Sequence, residues 1–194
     1  EITYGDWSSD VCSSDLGTSE AKRMTYREAF LQYASVDPFA AKLPDSIATP
    51  WPANDDRDLT LDYLLTTCIQ PHLGTDGPTI LYDYPSWQAA LACVRPGQPP
   101  VAERFELYIQ GIELANGYHE LLDPQILRAR NDINNQLREA DGKYTLPEDS
   151  RLLDAMDHGL PPCSGCALGF DRLVMAATGA KTIQEVMAFP IERA

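Results

Sequence analysis

The segment 103–120, ERFELYIQGIELANGYHE, constrains the fold more than any other part of the chain. Two runs of alternating apolar and polar residues, 105–109 and 112–116, flank Gln110-Gly111, a two-residue turn signal in which glycine is free to take positive φ. A hairpin closed there pairs Ile109 with Ile112, Tyr108 with Glu113, Leu107 with Leu114 and Glu106 with Ala115. Alternation then places Phe105, Leu107, Ile109, Ile112 and Leu114 on one face, and Glu106, Tyr108 and Glu113 on the other. Glu106 and Glu113 become diagonal neighbours, roughly 7 Å apart. Two carboxylates so held on the open face of a sheet repel each other unless a cation sits between them. Hard oxygen ligands suit a magnesium ion that also contacts a phosphate. The same pattern is that of an ordinary solvated strand face, and alternation alone leaves both readings open. Strict alternation puts Asn116 on the apolar face, so it joins Glu113 only if the strand bulges or ends there. Gly117 permits that. Glu120 lies four residues beyond Asn116.

Around this hairpin the chain has 194 residues, enough for one domain with a core. Its net charge of −14 argues against a general nucleic-acid surface, which needs basic residues to displace counterions. No apolar run approaches the roughly 18 residues that span a bilayer, so no membrane association and a cytoplasmic location are the default expectations.

Residues 1–18 read differently. Ser8-Ser9-Asp10 and Ser13-Ser14-Asp15 repeat around Val11-Cys12, a polar low-complexity pattern that reads as disordered. The stretch resembles a translated sequencing adapter, which sets it apart from a domain of 19–194. On this reading the native gene starts further upstream and the chain is a C-terminal fragment.

Thr25-Tyr26-Arg27-Glu28 is a capping box that opens a helix with Phe30, Leu31 and Ala34 inward, stopped near Asp37-Pro38. Residues 42–55 read as loop. Leu61, Leu64, Leu65 and Cys68 have helical spacing across 56–69, and Pro71 follows. A short strand over 79–84 and a turn-rich connector over 94–100 lead into the hairpin. Asp123-Pro124 caps a long helix through Ala140, with Ile126, Ile133 and Leu137 as its buried stripe and Asp141-Gly142 at its end. Residues 147–158 form another helix, closed by Gly159. Thr182-Ile183-Gln184-Glu185 is a further capping box, opening a short final helix.

The tail GCALGFDR, 165–172, is the second informative stretch. A short apolar run with two glycines enters a helix at Asp171-Arg172. The glycines allow close approach to the backbone, and Arg172 offers a planar cation to a phosphate or an adenine ring. A buried strand running into a helix start has the same sequence pattern. Cys163-Ser164-Gly165-Cys166 is C-x-x-C, but no second C-x-x-C or histidine pair completes a tetrahedral zinc site, so these read as structural cysteines. Of His72, His119 and His158, only His119 falls near the hairpin site, where its position allows a general-base role.

Taken together, RFELYIQGIELANGYHEL and HGLPPCSGCALGFDRLVM resemble the C-terminal half of the class II lysyl-tRNA synthetase catalytic domain. The chain is closer still to a family of short paralogues, the elongation factor P–(R)-β-lysine ligases. His119, Cys163-Ser164 and Ala167, together with the closing AFPIERA, favour the paralogues. The resemblance implies an α+β fold: an antiparallel sheet flanked by helices, of the class II aminoacyl-tRNA synthetase catalytic type, present in part. It implies ATP and Mg2+ as cofactors, with Glu106 and Glu113 as metal ligands. Leu114, Gly169 and Arg172 would lie at the nucleotide, Arg172 as the catalytic cation. Asn116, Glu120 and Ala167 would contact the amino acid, with Glu120 at its ammonium. The implied activity is ATP-dependent activation of (R)-β-lysine as an adenylate and its transfer to a lysine of elongation factor P, without tRNA, in a homodimer. The family's first two motifs, with the arginine at the α-phosphate, match nothing here, so the fragment alone is expected to be inactive. A fragment of a lysine–tRNA ligase and a silent amino-acid- or nucleotide-binding module are the alternatives. His119 and Ala167 speak against the first, and the joint presence of Glu106, Glu113, Glu120 and Arg172 against the second.

Overall fold

The computed structural model describes residues 20–47, 49–50, 56–147 and 149–191. The leader, part of the 42–55 loop and the end of AFPIERA lie outside the described residues. A six-stranded sheet forms the centre, with order β1-β2-β4-β5-β6 and β3 paired to β4. The strands are β1 (Lys22–Thr25), β2 (Thr79–Pro85), β3 (Val94–Arg95), β4 (Val101–Ile109), β5 (Ile112–His119) and β6 (Ser164–Leu168). The sheet is mixed: β1 runs parallel to β2, and the other pairs are antiparallel. The α+β expectation holds; the parallel edge strand β1 is too short and polar to show in the sequence.

Among the described residues, five α-helices flank the sheet. α1 (Tyr26–Ala29) continues as a π-helical turn through Ala34. It starts at the capping box, where the Glu28 N–H donates to Thr25 Oγ1 at 3.1 Å and the Thr25 N–H donates to Glu28 Oε2 at 2.8 Å. Its inward residues are Tyr26, Ala29 and Phe30; the expected inward Leu31 is exposed, because the buried face lies one residue earlier. α2 (Arg57–Leu64) starts at Asp56, whose Oδ1 accepts from the Leu59 N–H, and winds on through Ile69 and His72. Together α1 and α2 cover one face of β2 and β4, burying Met24, Tyr26, Phe30, Leu61, Leu64, Leu81, Tyr84 and Tyr108 in the main core.

A second core lies on the opposite face. There Leu107, Ile109, Leu114 and Ala115 pack against Leu173 and Ala176 of α5 (Phe170–Thr178). α3 (Pro124–Ala140) starts at Asp123 and ends at Asp141, followed by Gly142 at φ 68°, as its flanking residues predict. The stripe expected to be buried along it is not. Ile126, Ile133 and Leu137 are exposed, and only Leu127 is buried, against Leu153 and Met156 of α4 (Arg151–Asp157). Among the described residues α4 meets α3 at Leu127, and the stripe, though of correct helical period, stays exposed.

The hairpin between β4 and β5 closes where its sequence requires. Gln110 at φ 51° and Gly111 at φ 72° form the turn, and Ile109 faces Ile112 and Tyr108 faces Glu113. Beyond that the register shifts: Leu107 faces Ala115 and Glu106 faces Asn116, leaving Leu114 as one extra residue on β5. Leu114 and Ala115 thereby both enter the second core. The expected pairs Leu107–Leu114 and Glu106–Ala115 therefore do not form. The turn is anchored from below, where the Gln110 N–H donates to Gly74 O and the Gly111 N–H to Leu73 O, each at 2.8 Å.

Gly74 sits at φ +74°, and a Cβ there would lie 2.5 Å from Tyr108 O and 2.6 Å from Ile109 Cα. Backbone cannot yield as a side chain can. Gly74→Ala should therefore lower stability by about 3 kcal/mol in urea unfolding. Gly142→Ala, with similar φ and nothing within 4 Å, should cost only about 1 kcal/mol.

Candidate functional site

The bulge decides what shares the face of Glu106. With Leu114 taking an extra place, Asn116 stands directly across from Glu106, and Ala167 of β6 stands across from Asn116. Arg104, Tyr118 and Gly165 form the next row on the same face. Glu113, opposite Tyr108, remains diagonal to Glu106, as the hairpin predicts.

Glu106 is not on an open face. α1 and α2 cover the sheet beside it, and it is only 5% exposed. Two neighbours on its own strand hold its carboxylate. Arg104 Nη2 donates to Oε1 at 2.6 Å, and the Tyr108 hydroxyl donates to Oε2 at 2.5 Å. The Arg104 guanidinium lies over the Tyr84 ring at 4.4 Å. Burial works against the Arg104 charge, yet Glu106 leaves its pKa raised. Burial, then the Glu106 charge, pushes the Tyr108 hydroxyl far above its ordinary value, so it stays a donor. Arg104 and Tyr108 lie two residues either side of Glu106, a spacing legible in the sequence, but nothing in alternation marks them as its partners.

Glu113 is the half-exposed member of the pair. Arg172 reaches it from α5: Nη1 donates to the Glu113 backbone O at 2.9 Å and lies 3.6 Å from Oε2. Burial, and after it the Glu106 charge, raises the Glu113 pKa even though Arg172 and Arg104 lower it. The acidic repulsion inferred from the sequence is thus present, in a carboxyl that a cation would relieve. Gly169 joins the same corner, its N–H donating to Leu114 O at 2.7 Å. The Leu114 side chain is buried in the second core, so only its backbone belongs to this corner.

Asn116 Oδ1 is buried with no hydrogen-bond partner among the described residues, an acceptor waiting for a donor. Glu120 lies past the end of β5, where its N–H donates to Cys163 O and it bridges Ala92. Its carboxylate lies over Gly165: a Cβ on Gly165 would come within 2.1 Å of Glu120 Oε1. Ala167 is exposed on β6, beside Asn116. The structure therefore gathers Glu106, Glu113, Asn116, Glu120 and Ala167 on one face, with Arg172, Gly169 and the Leu114 backbone at the start of β5. The fit to a phosphate-bound Mg2+ rests on the adjacent carboxylates, the raised Glu113 and the nearby arginine. The orphaned Asn116 oxygen fits a substrate amine.

His119 does not belong to this site. It lies on the opposite face of β5, with Nδ1 2.5 Å from Glu103 Oε2, and the general-base reading falls with that. Cys163 and Cys166 are exposed and not bridged to each other. Among the described residues no helix is long and apolar enough to cross a membrane.

The family model for class II tRNA synthetases (D, K and N) matches residues 8–193. The chain is 42% identical over 193 residues to a protein of Yersinia enterocolitica named elongation factor P–(R)-β-lysine ligase, covering 95% of this chain and 59% of that protein. Proteins of the same name from Klebsiella pneumoniae and Salmonella typhi are 43% and 42% identical, with the same shares covered. The chain thus spans 59% of the length of these relatives.

A carboxyl whose folded-state pKa lies above its unfolded value costs stability as it ionises. The protein should therefore lose stability as pH rises from the ordinary 4.5 through the raised value of Glu113. Glu113→Gln should have a higher urea midpoint than the wild type at pH 7, with the two converging below pH 4.5. A difference that stays constant across pH would locate the effect elsewhere.

Proposed function

The chain belongs to the class II tRNA synthetases of the D, K and N type, and from that premise we propose that its protein is an ATP-dependent ligase for (R)-β-lysine, with elongation factor P as acceptor. Within this reading tRNA plays no part, and the working form is a cytoplasmic homodimer. The observation that carries the reading is the bulge at Leu114, which sets Asn116 across from Glu106 and lines acid, amide and Ala167 along one row.

Glu106 and Glu113 would hold the magnesium ion, which supplies charge neutralisation on the phosphates when bound. Arg104 and Tyr108 both donate to the Glu106 carboxylate and hold it aimed, so the site is set before ligand arrives. Arg172 and the Gly169 backbone stand where a phosphate or adenine ring can approach. Glu120 takes the substrate ammonium, Asn116 Oδ1 accepts from an amine N–H, and the small Ala167 side chain leaves room between them. A β-amino acid carries one amine on a carbon further from its carboxylate, so this row must fit a different spacing from that of α-lysine.

In the first step a carboxylate oxygen of β-lysine bonds to the α-phosphorus of ATP as the bond to pyrophosphate breaks. In the second, a lysine ε-amine of the acceptor bonds to the acyl carbon and loses a proton, and AMP leaves. The chain's contribution to both is positioning and charge stabilisation, with no covalent enzyme intermediate.

The test is ATP–pyrophosphate exchange with (R)-β-lysine and L-α-lysine in parallel. The chain alone and a version extended to the relatives' full length should be compared. We expect exchange from the extended protein, favouring β-lysine. Glu113→Gln and Arg172→Ala should each lower its rate by about 100-fold, and Glu120→Gln should raise the KM for the amino acid. Preference for α-lysine would support a lysine–tRNA ligase instead. No exchange from the folded, extended protein would support a silent binding module.

A further inference from the structure

On the face of the sheet that the proposed reaction does not use, three segments distant in sequence meet. The Cys93 N–H donates to His119 O at 2.8 Å, and the Glu103 N–H donates to Cys93 O at 2.9 Å. These main-chain bonds fix the residue just before β3, the third residue of β4 and the last residue of β5 side by side. Their side chains converge. One ligand atom from each of Cys93, Glu103 and His119 lies within 4.8 Å of the other two, with His119 Nδ1 2.5 Å from Glu103 Oε2. All three are half-buried, sheltered from bulk solvent but reachable from it.

From this arrangement we infer that Cys93, Glu103 and His119 form a binding site for a transition-metal dication of the zinc type. Thiolate, imidazole and carboxylate are a donor set suited to Zn2+ and unsuited to magnesium or calcium, which take oxygen ligands. Two anionic ligands and a neutral imidazole also balance a dication. In tetrahedral zinc sites neighbouring ligand atoms lie roughly 3.3–3.8 Å apart, as bond lengths of about 2.0–2.3 Å require. The His119–Glu103 contact therefore opens by less than an ångström to admit the ion. Cys93 Sγ gives up a 3.2 Å contact with Glu120 O. The competing cation is Arg95, with Nη1 3.7 Å from Glu103 Oε1. Its Nη2 is already paired with Asp83 at 2.7 Å and need not move.

With three protein ligands the fourth position is left to water or to a further ligand. The ion would tie the segment before β3 to the end of β5, one residue from Glu120. It would stiffen the strand end that carries the proposed ammonium contact while taking no part in the chemistry.

The experiment is metal titration of the metal-stripped chain, with stoichiometry read by elemental analysis and geometry by Co2+ absorption. Cys12, Cys68, Cys163 and Cys166 are first replaced, Cys68 by Ala and the others by Ser, so that Cys93 is the one thiol left. This background should bind one Zn2+ per chain and show a thiolate-to-cobalt charge-transfer band. Adding Cys93→Ser should abolish the band, and it should weaken Zn2+ binding by at least about tenfold. Glu103→Gln and His119→Asn should weaken binding while leaving the band in whatever Co2+ complex remains. Far-UV circular dichroism shows which variants fold, and Glu103→Gln or His119→Asn carries the test if Cys93→Ser does not. Wild-type affinity in any folded one of these three variants would overturn the proposal. So would a thiolate band that disappears in the background lacking Cys12, Cys68, Cys163 and Cys166.

Discussion

Antiparallel strands pair one residue with one, and β5 breaks that count at Leu114. The single extra residue has two consequences, one on each face. Toward the second core it lets Leu114 and Ala115 both turn inward against Leu107, Ile109 and α5. Toward the site it moves Asn116 from the apolar face to a place opposite Glu106, with Ala167 beyond it. Without the bulge Asn116 would point into the apolar cluster, and Glu106 would face Ala115. The Leu114 carbonyl also accepts the Gly169 N–H, so the bulge fixes where α5 begins and where Arg172 can reach. One irregularity therefore sets hairpin, third strand and helix in register.

The electrostatics of the site follow from the covering of that face. Glu106 is buried beneath α1 and α2, and Arg104 and Tyr108 both donate to its carboxylate. Removing one partner of a buried pair leaves an uncompensated charge, a loss of roughly 3–5 kcal/mol. Glu113 is left at the rim, partly exposed, with the Glu106 charge nearby and Arg172 alongside. The site thus divides into a fixed inner carboxylate and an adaptable outer one, an arrangement suited to receiving a charged ligand from solvent.

Much of this was legible in the sequence because the signals were local. The turn at Gln110-Gly111, the diagonal of Glu106 and Glu113, the capping boxes at Thr25 and Thr182, and the limits of α3 each rest on residues a few positions apart. What failed required long-range contacts. Strict alternation could name Gly117 as a place where a bulge was tolerable, but whether one forms depends on α5 packing against Leu114. The open face expected for Glu106 was wrong because α1 and α2 fold over it from residues 26–72. The side of the sheet taken by His119 also turns on the bulge, since one added residue moves everything after it to the other face. The stripe of α3 had helical period, but period alone does not supply a neighbour.

The central claim is the register of β4 against β5, and cross-strand nuclear Overhauser effects in the isotopically labelled chain test it most directly. Backbone contacts linking Glu106 with Asn116 and Leu107 with Ala115 are the predicted result. Contacts linking Glu106 with Ala115 and Leu107 with Leu114 would mean a regular hairpin, with Asn116 on the wrong face and the proposed site dismantled.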